Sequence, residues 1–191
     1  MKRNMVLVVI ALLGLVVVFS GCNMESITPP PVFTPAPTPT DQDDGGIRFT
    51  LPDLNGNEVI FQDFRGKPAV VFFFKSYCPH CQEEAPFLES VYRKYRDRVV
   101  FLGIAVNEQG TSGSLIASTF SYAQQIQSGF VSVYGWTFPV LIDDYGRVQR
   151  ALVGTGVPSF AFIDASGRLQ GMVKETISQG RLEQLIQLYL L

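Results

Sequence analysis

The chain has 191 residues, 47% of them hydrophobic and 17% charged, with a formal net charge of −2. That length suits one folded domain once the N-terminal segment is set aside. No block of basic residues interrupts it, so nucleic acid is excluded as the expected partner.

Lys2-Arg3 followed by the uncharged run Met5–Phe19 has the form of an export signal. The run is shorter than the ~20 apolar residues of a typical membrane span. It leads into Phe19-Ser20-Gly21-Cys22, similar to a lipobox, whose cysteine is acylated and becomes the mature N-terminus. Phe19 stands where leucine is more usual, and an uncleaved anchor or free secretion are the alternatives. Residues 1–21 are therefore expected to be a lipoprotein-type signal peptide and 22–46 a lipid anchor and linker. The product would be extracytoplasmic and anchored to the membrane through Cys22. Six prolines lie between Pro29 and Pro39, followed by Asp41-Gln42-Asp43-Asp44-Gly45-Gly46. Such a segment cannot bury a core and favours extended polyproline II, at ~3.1 Å per residue, which suits a spacer. A proline-motif ligand is the lesser alternative.

From Ile47 to Phe61 the chain reads as a hairpin, with Arg48–Leu51 and Val59–Phe61 joined through Asn55-Gly56. Lys67–Phe74 is the expected central strand, because its apolar run is short, continuous and rich in Val and Phe. Helical spacing begins after it, with Ala85, Leu88, Val91 or Tyr92, and Tyr95 on one face of a helix from Cys78 to Arg96. Pro86 inside that helix is expected to kink it. Val99–Val106 is a second buried strand, parallel to the first because a helix intervenes. Loop at Gly110–Ser114 and a helix over Leu115–Gln127 follow, then a short strand, Phe138–Asp143. Ser159–Asp164 and Leu169–Val173 flank a turn at Ala165–Arg168 as a second hairpin ending at a sheet edge. Leu182, Leu185, Ile186, Tyr189 and Leu190 form the apolar face of a last helix.

Cys78-Pro79-His80-Cys81 therefore falls where a strand hands over to a helix. The first helical turn leaves N–H groups unpaired and carries partial positive charge, which stabilises a thiolate at Cys78. Cys81, one turn on, can attack a mixed disulfide formed at Cys78 and release the partner. Pro79 suits the first turn, where its missing N–H is no loss. Two inert thiols or half a zinc site are the competing readings, but only His80 and Cys22 remain as further Cys or His ligands.

Together with Glu84, Pro86 and Val157-Pro158, this motif resembles the TlpA/ResA-like membrane-anchored thiol–disulfide oxidoreductases of the thioredoxin superfamily, with a redoxin/AhpC-TSA-like domain. The resemblance covers about Ile47–Leu191, including Phe64-Arg65-Gly66-Lys67-Pro68 ahead of the central strand. Tyr77 departs from the family's usual Trp, and His80 from its more common residues. The resemblance implies an α/β thioredoxin-like fold over residues 47–191, a central mixed β-sheet flanked by helices, with an N-terminal hairpin and an inserted helical segment within Asn107–Thr137. It further implies that Pro158 is cis, opposite the cysteines, with the backbone of Val157 pairing with substrate and Tyr77 beside it. Glu84 would handle the proton of the second thiol, whereas Glu83 reads as a solvated carboxylate. If Cys22 carries lipid, Cys78 and Cys81 pair with each other and no cysteine is left over.

Three functions follow. The first is a reductant of exported disulfide proteins, as in cytochrome c maturation, fed by a membrane electron donor. The second is a thiol oxidase coupled to a membrane acceptor. His80 supports it, since an imidazolium favours the thiolate and DsbA-type oxidants carry the same Cys-Pro-His-Cys. The third is a copper chaperone, which needs a distant histidine that this chain lacks. A peroxidase fits less well, because its attacking cysteine usually stands without a second one three residues on. No cofactor and no metal are expected.

Overall fold

The computed structural model of the chain describes residues 45–107 and 115–191. The signal-like segment, Cys22, the proline-rich linker as far as Asp44, and the loop expected at Gly110–Ser114 lie outside the described residues.

A small antiparallel ribbon comes first, β1 (Thr50–Pro52) paired with β2 (Glu58–Ile60), Leu51 opposite Val59. Its strands are shorter than the sequence suggests. Phe61, expected in the second strand, opens a 3₁₀ turn to Phe64 while its N–H still bonds Phe49 O at 2.9 Å.

The main sheet has five strands: β3 (Ala69–Phe74), β4 (Val100–Asn107), β5 (Val140–Asp144), β6 (Ser159–Ile163) and β7 (Leu169–Val173). Their order is β5-β4-β3-β6-β7. β3 and β4 run parallel, as do β4 and β5, while β6 is antiparallel to both β3 and β7. The sheet is thus mixed, with β3 at its centre, and the thioredoxin-like architecture is the one observed.

All six residues of β3 are buried. Alternation sends Val70, Phe72 and Phe74 into one core and Ala69, Val71 and Phe73 into the other. The first core is aromatic: Phe74 stacks on Phe130 at 4.7 Å between centroids, and Trp136 meets Phe130 edge-on at 4.9 Å. The second is mainly aliphatic, closed by Phe49 and Phe61 from the ribbon. Truncating a fully buried ring such as Phe74 to Ala would cost roughly 3–5 kcal/mol.

Helix α1 (Pro79–Tyr95) buries Cys81, Glu84, Ala85, Leu88, Val91 and Tyr95 against the aromatic core and runs on through Pro86. Arg93 and Lys94 in its last turn complement the helix dipole. The inserted helix α2 (Leu115–Ile126) passes into a π-type turn, Gln127–Val131, and a further turn, Ser132–Tyr134. Helix α3 (Arg147–Leu152), unexpected from the sequence, follows β5 after a two-residue turn. Helix α4 (Gln179–Leu190) starts three residues before the first apolar position, with the Ser178 hydroxyl capping Arg181 N. It lies so close to β7 that a Cβ at Gly171 would sit 2.6 Å from the Tyr189 ring.

Candidate active site

β3 ends at Phe74, and three residues carry the chain to the start of α1. Cys78 N–H donates to Lys75 O at 3.1 Å, closing the turn, and the Gln82 carboxamide donates to Ser76 O at 2.7 Å. Cys78 is the N-cap residue, in extended conformation with no side-chain cap bond, and Pro79 takes the first helical position. The sulfur of Cys78 therefore sits at the positive end of a 17-residue helix.

Both thiols are free, but their surroundings differ. Cys78 is half-buried, while Cys81 is wholly buried. Burial pushes the Cys81 thiol well above its ordinary range, and its hydrogen bond to the Cys78 sulfur and the charge of Glu84 push it the same way. One sulfur is reachable and the other is held protonated behind it.

Across from the pair the Val157–Pro158 peptide is cis. The Cys78 thiol donates to Val157 O at 3.8 Å, within the range of a sulfur hydrogen bond. Gly156, at φ 101°, turns the chain into this loop, a conformation that glycine adopts without strain. The Gly156 carbonyl accepts from the Gln149 carboxamide at 2.6 Å and from the Ser159 hydroxyl at 3.2 Å.

Glu84 is more enclosed than its sequence position suggests: it is wholly buried. Its Oε1 accepts from Ile177 N–H at 2.7 Å, and Oε2 is buried without a partner among the described residues. Burial raises its pKa from 4.5 to about 7; the Ile177 N–H opposes the rise and Glu83 adds to it. This carboxyl can exchange a proton near neutrality.

His80 and Tyr77 both lie at the surface. The His80 ring lies against Glu83, Nδ1 to Oε2 at 3.4 Å. Tyr77 is 67% exposed beside the cysteine loop. It neighbours Tyr122, whose hydroxyl donates to Val106 O at 3.1 Å.

Sequence reasoning overlooked two supports. Glu89, passed over in the sequence, accepts from Thr137 N–H and the Thr137 hydroxyl, each at 2.7 Å, and from Arg93 Nε at 2.7 Å. Asp143 and Gln149, both buried, lie at the end of β5 and on α3. Burial raises the Asp143 pKa in spite of the N–H groups of Gln149, Val148 and Arg147. A partner 48 residues away left no local signal for Glu89. For α3, the spacing of Val148 and Leu152 is the one hint. Among the described residues no group of three or more His, Cys, Asp or Glu is placed to hold a metal ion.

A sequence model of the AhpC/TSA family matches residues 44–172. Among curated proteins, the thiol–disulfide oxidoreductase ResA of Bacillus thuringiensis subsp. konkukian is 26% identical over 139 residues, 73% of each chain. The thioredoxin-like protein YneN of Bacillus subtilis is 27% identical over 140 residues, 73% of this chain and 75% of its own. Among solved structures, a secreted Mycobacterium tuberculosis disulfide oxidoreductase homologous to Escherichia coli DsbE is similar with a TM-score of 0.58 and 29% identity. That match covers 73% of this chain and 95% of the other.

Proposed function

This chain belongs to the AhpC/TSA family and is a thiol–disulfide oxidoreductase of the ResA and DsbE type; we propose that it acts outside the cytoplasm as a reductant of disulfides in exported proteins, through Cys78 and Cys81. The observation that carries this reading is the asymmetry of the pair. A half-exposed sulfur lies at a helix N-terminus against the cis-proline loop, with a buried protonated thiol and a buried proton acceptor behind it.

In the proposed cycle the Cys78 thiolate attacks one sulfur of a substrate disulfide. A mixed disulfide forms, and the other substrate sulfur leaves as a thiolate that takes up a proton. Glu84, with a pKa of about 7, is ionised in part near neutrality, and its carboxylate accepts the proton of Cys81. The Cys81 thiolate then attacks Cys78, forming the Cys78–Cys81 disulfide and releasing the second substrate sulfur as a thiolate, which takes up a proton. Two electrons have passed from the dithiol to the substrate. A membrane electron donor would restore the dithiol, and cytochrome c maturation is the expected setting. Val157 supplies backbone for the substrate chain and Tyr77 an exposed ring beside it. The exchange itself calls for no cofactor, because the electrons travel in the sulfur–sulfur bond.

The secreted relative and the signal-like N-terminus support export, with Cys22 as the lipid attachment point. Cys22→Ala should move the protein out of the membrane fraction, and an unmodified Cys22 in the mature protein would refute anchoring. Run backward, the same chemistry is a thiol oxidase, and the His80 dipeptide favours that second reading. Equilibration with glutathione and dithiothreitol buffers decides between them. A potential near thioredoxin's roughly −270 mV supports the reductant, and one near the oxidants' roughly −120 mV the oxidase.

A further inference from the structure

Helix α3 links the end of β5 to the cis-proline loop, and of its polar side chains Gln149 is turned inward while Arg147 and Arg150 face out. Asp143 is 1% exposed, and its two oxygens accept from Arg147 N–H at 2.9 Å and Gln149 N–H at 2.8 Å. These bonds fix the start of α3, whose N-cap residue is Gly146, with no side chain to do so. Gln149 is likewise 1% exposed, and its Nε2 donates to Gly156 O at 2.6 Å. A carbonyl needs a donor, so the amide nitrogen is the end that faces it. The other end, Oε1, is buried with no hydrogen-bond partner among the described residues.

A methionine would occupy that space without an unmet acceptor, so burial of a carboxamide works against stability here. What the carboxamide supplies is its bond to Gly156. Gly156 sits at φ 101° and has wide backbone freedom of its own. Because peptide units are planar, holding Gly156 O also sets the direction of Val157 N–H. The next carbonyl along, Val157 O, is the one that meets Cys78 Sγ at 3.8 Å. Local rules broken in a core without a packing gain are found where function needs them.

We infer that Gln149 is a positioning residue for substrate: its buried carboxamide orients the Gly156–Val157 peptide, and so sets how an extended, disulfide-bearing peptide chain lies beside Cys78. The inference rests on the reductant reading above and adds a determinant that acts on peptide substrates alone. Ser159, at 3.2 Å from the same carbonyl, is the weaker support. Asp143 acts one step further back, by fixing the helix that carries Gln149.

The test compares two substrates: a short peptide closed by an internal disulfide, and Ellman's reagent, a small aromatic disulfide with no backbone to dock. Gln149→Met keeps the length and removes the donor; Gln149→Asn keeps the amide and falls short of Gly156. Each should raise KM for the peptide about tenfold, with kcat and the rate with Ellman's reagent within about twofold of wild type. An unchanged peptide KM in a variant that melts like wild type overturns the proposal. Equal losses with both disulfides overturn it too, since they mark a general disturbance of the fold. If Gln149→Met does not fold, Gln149→Asn decides by the same comparison. A wild-type protein that reacts with Ellman's reagent and ignores the peptide would instead refute the reductant reading itself.

Discussion

Two stretches of α1 carry buried carboxyl groups that behave oppositely. In the first turns Glu84 has, among the described residues, one hydrogen bond and an unpartnered buried oxygen, and its pKa is raised to about 7. Further along the same helix, Glu89 is nearly as buried, yet both oxygens are satisfied by Thr137 and Arg93. Burial alone would raise Glu89, but the Thr137 hydroxyl and N–H and the Arg93 guanidinium hold it below the ordinary value. Burial therefore does not mark a carboxyl as a proton carrier; the count of donors facing it does. The first turns are built for chemistry at some expense of stability, and the middle of the helix for stability alone.

The sharpest way to separate the two stretches is through the cysteines. Cys78→Ser should reduce exchange to background while the melting temperature stays within about 4 °C, since Cys78 is only half-buried, at the edge of the aromatic core, and serine is close to it in size. Cys81→Ser should trap substrate through Cys78. A complex trapped through Cys81 in the Cys78→Ser protein would reverse the proposed roles.

Glu89→Ala should show the mirror image. It strips three hydrogen bonds and leaves the Thr137 N–H and hydroxyl without their acceptor, a loss of about 2–4 kcal/mol in denaturant unfolding at pH 7. Exchange per folded molecule should be unaltered. Because its folded pKa is depressed, the contribution of Glu89 is present above its ordinary pKa and fades as pH falls through the lowered value. A drop in exchange rate equal to that of an active-site variant would erase the distinction between the two stretches.

For Glu84 the sign is the other way. Its folded pKa is raised, so its contribution is fully present below pH 4.5 and is lost as pH rises through about 7. Glu84→Gln, which keeps an acceptor for Ile177 N–H, should stabilise the reduced protein above pH 7 by on the order of 2–3 kcal/mol. It should also slow the second half of exchange and remove its titration near neutrality. Stability curves of wild type and variant that run parallel from pH 4 to 9 would refute the assignment.

The smallest effect belongs to His80. Its ring is exposed and shared with Glu83, so His80→Glu should make the pair more reducing by no more than about 20 mV. An unchanged potential would remove His80 from the mechanism, and a shift several times larger would show that the ring acts on the cysteines despite Glu83.

What the sequence made legible follows from range. The strand–motif–helix unit was readable because β3 is one unbroken apolar run and α1 repeats its apolar positions over several turns. The cis bond at Pro158 was legible through family resemblance alone, since an isolated Val-Pro reads as trans. Helix α3 escaped because six residues starting from a left-handed glycine leave too little periodicity to count. Glu89 and Gln149 escaped for a different reason. Each is a polar residue buried by a bond to a distant or newly turned segment, and neither Thr137 nor Gly156 announces that need in sequence. Strand ends shifted by one or two residues, as at Phe138 and Lys67, where proline neighbours delay the pairing.

Trp136 gives the molecule a further property. It is the only tryptophan, 5% exposed, with rings of Phe74 and Phe130 against it and its indole N–H bonded to Ala85 O at 2.9 Å. Excited at the red edge of aromatic absorption, the protein thus emits from a single fluorophore, tethered to the carbonyl of the residue that follows Glu84. Release of the helix on unfolding breaks that tether, and disulfide closure at Cys78–Cys81 or ionisation of Glu84 should register as a change in its emission. The chain carries a built-in optical gauge of its own active-site helix, readable in real time without a label.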